Sequence, residues 1–172
     1  MNRSRTALVL FAVMMLALAC AAQNQPRTPA RSIKGHFASV NRQLLEMAKD
    51  FPADKYNFKL KPEMRSFGEV LVHVASGNVY AAKAGRGEKA NWDELDAKNY
   101  RDKAAVVALM EKSINDATSA LNALPDDAFG KSLEPWISVM EHSAEHYGLL
   151  VAYYRENGLV PPASRKSSGG AN

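Results

Sequence analysis

The sequence predicts an all-α fold, a four-helix bundle. Apolar residues recur at three- and four-residue intervals in four separate stretches, the period of a helix with one buried face. No stretch alternates apolar and polar residues as a half-buried strand would. The breaks between stretches carry proline, glycine or capping residues where helices start and stop. Helices with a single apolar stripe bury it against one another, and four of them make a bundle.

The elements follow in chain order. Arg3 and Arg5 precede an uncharged apolar run from Ala7 to Ala19, with small residues at its exit. Residues 1–22 read as a secretory signal, and the run is short of the roughly 20 residues that span a bilayer. Leu16 to Cys20 resembles a bacterial lipobox, which would make Cys20 a lipid anchor; ordinary cleavage after Ala19, Ala21 or Ala22 is the alternative. Residues 23–31 read as a tether. The first helix is expected from Ser32 to Lys49, with Ile33, Phe37, Val40, Leu44 and Met47 on one face. Phe51-Pro52 ends it, and Asp54 to Pro62 is a connector.

Ser66-Phe67-Gly68-Glu69 has the form of a capping box, which satisfies two orphan amides at a helix start. The second helix is expected from Phe67 to Lys83, stopped by Gly85 and Gly87. Glu88 to Tyr100 is a polar loop, with room for a short turn at Trp92 to Asp96. Asp102 caps a third helix, to Ala123, whose stripe is Val106, Leu109, Met110, Ser113, Ala117, Ala120, Leu121 and Leu124. The fourth runs from Pro135 to Asn157, with proline at its first turn and Gly158 in the left-handed position past its end. Pro161-Pro162 forbids continuation. The bundle spans 32–162, and residues 163–172 have the composition of a disordered tail.

Composition removes several function classes. The 172 residues carry a formal charge of +4, and loss of Arg3 and Arg5 with the signal leaves +2. No Lys/Arg cluster with interleaved aromatics is present, which argues against nucleic acid as a partner. The one cysteine is Cys20, so the folded domain has no disulfide and no thiol nucleophile. No Ser-His-Asp set, phosphate loop or paired-carboxylate signature stands out, and no general base is designated.

Chemistry concentrates on histidine, of which the chain has four. His142 and His146 stand one helical turn apart, so both rings leave the same face. That face also carries Pro135, Val139, Leu149, Leu150 and Tyr153, which directs the pair toward the bundle interior. Each nitrogen of a buried imidazole needs a partner. A metal provides one, and a hydrogen-bonded structural role is the alternative. His73 lies in the apolar run Val70 to Ala75. It stands roughly 100° from the centre of the Phe67/Val70/Val74 stripe, able to reach a neighbouring helix, and alone reads as a satisfied core histidine. His36 flanks its own stripe and reads as a surface or boundary residue. Glu141 and Glu145 project away from the pair and read as a solvated face, with a hydrogen bond to a ligand histidine as the alternative for Glu145. Glu69, one turn before His73, could orient that ring, in competition with its capping role. Tyr80, Tyr147 and Trp136 are candidates for a pocket wall, with core packing as the alternative. Three imidazoles would leave a fourth position open, the mark of a catalytic rather than a structural site. Zinc or nickel is expected there, and iron or manganese also accepts imidazole.

The stretch Met140-Glu141-His142-Ser143-Ala144-Glu145-His146-Tyr147-Gly148, with Tyr153 to Pro162 after it, resembles the closing helix of DinB-family proteins. Met64 to Ala75, with Arg65-Ser66-Phe67-Gly68-Glu69 and His73, resembles their second helix. The resemblance covers about Ser32 to Pro162. It implies a four-helix bundle of the DinB/YfiT-like metalloenzyme type. It also implies a divalent metal held by one histidine from the second helix and a pair from the fourth, positions that fall on His73, His142 and His146. Some relatives are metal-dependent S-transferases that activate a small thiol, and members often pair as homodimers. The functional expectation is an exported metal-dependent enzyme, a hydrolase or thiol S-transferase, with an unassigned small-molecule substrate. A non-catalytic metal- or ligand-binding module at the cell envelope is the alternative, and an interaction domain with purely structural histidines is a third. An export signal sets this sequence apart from the usual family pattern.

Overall fold

The computed structural model describes residues 28–165, so the signal, most of the tether, Cys20 and residues 166–172 lie outside the described residues. Four helices form the body: α1 Pro29–Asp50, α2 Phe67–Gly85, α3 Lys103–Ala123 and α4 Trp136–Glu156. No strand occurs among the described residues. None of their helices is long and apolar enough to cross a membrane.

Local chemistry sets the ends. α1 starts three residues before Ser32, because the Thr28 hydroxyl accepts from Arg31 N at 3.2 Å and Pro29 fits the first turn. At α2 the capping box is complete: Glu69 N donates to Ser66 Oγ at 3.3 Å, and Ser66 N donates to Glu69 Oε2 at 2.6 Å. Asp102 accepts from Ala105 N at the start of α3. Gly87 and Gly158 take φ of +77° and +68° after α2 and α4, where other residues would be strained. In place of a turn at Trp92 to Asp96, a 3-10 turn forms at Ala97–Asn99, because the Asp96 carboxylate accepts from Lys98 N. Past Pro161, a further turn at Pro162–Ser164 leads Arg165 back to Asp50, with contacts of 2.8 and 2.5 Å.

The meeting of helix ends gives their directions. Tyr153 donates to the Arg65 carbonyl, and Gly85 lies against Trp136, so α2 and α4 are antiparallel. Phe37 packs on Trp136 and Tyr154 donates to Met47 O, so α1 and α4 are parallel. Gly68 faces Val106 and Gly85 faces Ala120, so α2 and α3 are also parallel. α1 and α2 each pack against both α3 and α4. Parallel neighbours cannot be joined by a tight turn. The 19 residues of α2 rise about 28 Å, and residues 86–102 travel back along that length as a crossover.

The core has two apolar halves. In one, Phe51 stacks on Phe67 at 3.8 Å, with Tyr56, Tyr153 and Tyr154 around them. In the other, Phe37 meets Trp136 edge-on at 5.6 Å, beside Ala81, Ala117 and Leu121. Every helix also buries polar side chains: Asn41 on α1, Ser76 and Asn78 on α2, Ser113 on α3 and Ser143 on α4. Asn78 Nδ2 donates to Asn41 Oδ1 at 3.0 Å, and Asn41 Nδ2 donates to Phe37 O. The α3 stripe lies inward as its spacing requires, with Leu109 and Leu124 at its half-buried edges.

Candidate metal centre

The antiparallel pair α2/α4 places His73 beside His142 and His146. One nitrogen from each ring lies within 4.8 Å of the others. Nε2 of His142 is 2.9 Å from Nε2 of His73. Ring centroids are 4.7 Å apart for His73 with either partner and 4.3 Å within the α4 pair. All three rings are half-buried.

The site sits at the α2–α4 seam, rather than in the bundle interior to which the wheel of α4 pointed. The inward stripe of α4 is Trp136, Val139, Ser143, Leu150, Tyr153 and Tyr154. Because α4 also packs on α1, that stripe is rotated away from His142 and His146, which fall on its α2-facing flank. His73 takes the corresponding flank of α2.

Burial lowers the His142 pKa to about 4, helped by His146 and His73 beside it. Burial, then His73, lowers that of His146. Both rings are therefore neutral at pH 7 and offer lone pairs.

Contacts outside the cluster are unequal. His73 Nδ1 is 2.7 and 2.9 Å from the two oxygens of Glu94. Glu94 also meets Arg65 at 3.4 Å. His142 Nδ1 is buried without a hydrogen-bond partner. Beside it lies the Trp92 indole, with ring centroids 4.9 Å apart. A Cβ on Gly77 would stand 2.7 Å from Trp92 Cζ2 and 3.4 Å from His142 Nδ1, so the missing side chain makes the seat for the indole. Tyr80 stacks on the other part of Trp92 at 5.1 Å.

The donor set fits a divalent metal. An ionised carboxylate only accepts, so Nδ1 of His73 carries the proton and Nε2 a lone pair. Without an ion, His142 in its Nε2–H form donates to that lone pair at 2.9 Å; with an ion bound, the same two nitrogens would turn their lone pairs to it. His73, His142 and His146 could thus hold a metal ion.

Other candidates fall elsewhere. Glu69 does not reach His73: the capping box holds it, with Lys59 at 3.4 Å. Trp136 is core, 1% exposed. Tyr147 is half-buried against the larger apolar cluster, whereas Tyr80 does border the site through Trp92. His36, Glu141 and Glu145 are exposed. The residues that sequence reasoning missed are Glu94, Trp92 and Arg65. None has a local signal, since Glu94 is 21 residues from His73 and only the crossover brings it back.

The fold and site define a helical bundle with a three-histidine cluster able to hold a metal. A family model described as DinB superfamily matches residues 36–153, and the chain belongs to that superfamily. No curated protein gives a significant match to the chain.

Proposed function

We propose that the chain is a metal-dependent enzyme, a hydrolase or thiol S-transferase, acting on a small electrophilic molecule outside the cytoplasm. The observation that carries this reading is the convergence of three histidines within 4.8 Å. Three donors are one fewer than a zinc-type ion takes, as in catalytic sites. An all-imidazole set favours zinc or nickel over harder ions. When bound, such an ion supplies Lewis acidity toward an oxygen or sulfur donor of the reactants.

The chain's own residues do the rest. His73, His142 and His146 hold the ion, and burial keeps the α4 pair unprotonated at neutral pH. Trp92 and Tyr80 shield one side from water. Both Glu94 oxygens face His73 Nδ1, so this carboxylate serves the ring rather than the reactants. Export rests on the secretory-signal pattern of residues 1–22.

Elemental analysis of protein purified without chelator tests the metal. The expected result is one divalent ion per chain, lost in His142→Ala and His146→Ala. No metal above background overturns the proposal. Metal-loaded protein is then assayed on a panel of esters, amides, and thiols with electrophiles. Binding without turnover anywhere in the panel would make the chain a capture module instead.

A further inference from the structure

We propose that Glu94 is the positioning residue of the metal centre, holding His73 in the Nδ1–H form so that Nε2 faces His142 and His146. The proposal rests on the metal-site reading above and adds to it a residue from outside the histidine motifs.

Geometry fixes the direction of the bond. Both Glu94 oxygens lie within 2.9 Å of His73 Nδ1, and a carboxylate only accepts. The proton must then sit on Nδ1. The other nitrogen, Nε2, is the one that faces the cluster, 2.9 Å from His142 Nε2. Metal-binding histidines commonly donate their remote N–H to such an acceptor, which fixes the tautomer and strengthens the donor.

The segment carrying Glu94 is itself held in place. Leu95 N donates to Ser76 Oγ at 3.0 Å, and Ser76 Oγ donates to Val72 O at 3.1 Å. Trp92 occupies the notch at Gly77 and stacks on Tyr80. His73, Ser76, Gly77 and Tyr80 are spaced i, i+3, i+4, i+7, so one stripe of α2 receives the whole segment. Arg65 approaches Glu94 from the start of α2. A surface ion pair without such anchoring would contribute little to the site. Here the partner's side chain is 17% exposed and the carboxylate is pinned along a helix face.

The test compares the parent protein with Glu94→Ala and Glu94→Gln. Zinc affinity is measured by competition with a chromophoric chelator. The His73 tautomer is read in the metal-free protein from long-range 1H–15N imidazole correlations at about pH 7.5. In the parent, His73 is expected as Nδ1–H. Glu94→Ala should shift it toward Nε2–H and weaken zinc binding by about 10–100-fold. Glu94→Gln keeps an acceptor oxygen and should restore most of both. A circular-dichroism spectrum like the parent's checks that each variant folds. His73 already Nε2–H in the parent, or zinc affinity unchanged in Glu94→Ala, overturns the assignment. If the parent binds no zinc, the functional proposal fails, while the tautomer still decides the role of Glu94.

Discussion

Acid should weaken the metal-free fold through its own histidines. An ordinary histidine loses its proton near 6.5, whereas burial holds His142 at about 4. Between those values the unfolded chain takes up a proton that the folded chain refuses. The unfolded state then binds more protons, so stability rises with pH across this window and is lost as pH falls from 6.5 toward 4. Between about pH 7.5 and pH 5, full linkage from His142 alone would amount to about 2 kcal/mol. Solvent reaches part of the ring, and screening reduces this to about 1 kcal/mol. His146, lowered by the same cause, adds in the same direction. At about 2–4 °C per kcal/mol for a domain of this size, Tm should fall some 3 °C or more from these rings. The assay is a pair of thermal melts in chelator at the two pH values, for the parent and for His142→Asn/His146→Asn. Carboxylate effects are common to both proteins and cancel in the difference. The parent should lose more stability on acidification than the variant. Equal losses, or a larger loss in the variant, would refute the reasoning.

Four further outcomes are expected. Saturating zinc at neutral pH should raise Tm, by about 2.7 kcal/mol of added stability at one hundred times Kd, and the double variant should show no rise. Asn78→Asp places a carboxylate at 0% exposure, against the Asn41 oxygen that Nδ2 now serves; urea melts should show a loss of about 3 kcal/mol or more. Gly85→Ala sets a Cβ 2.4 Å from buried Trp136, and overpacking of about 1–3 kcal/mol should outweigh the gain of about 1 kcal/mol in helix propensity. Gly77→Leu should evict Trp92, read as a red-shifted tryptophan emission, and weaken zinc binding while the helical signal stays unchanged.

Sequence spacing revealed much of the architecture because helices are local objects. The α3 stripe, the Ser66–Glu69 capping box and the Gly158 terminus all depend on residues within a turn or two of one another. His142 and His146 were legible for the same reason. His73 needed the family resemblance, since nothing local distinguishes it from a core histidine. Which side of α4 faces α2 depends on how α1 also packs on α4, and a single-helix wheel holds no such information. Glu94 was illegible for a related reason. Its role follows from α2 and α3 lying parallel, which forces residues 86–102 back along α2. A loop read only as polar thereby carries a carboxylate to an imidazole.

The crossover also divides the site by local stability. The histidines belong to helices whose amides open only with the core, whereas residues 88–100 are half-buried or exposed and held by a few contacts. Hydrogen exchange should therefore find two classes of amide around one centre. Those of 88–100 exchange through small, frequent openings, and those near His73 and His142 only through rare, large ones.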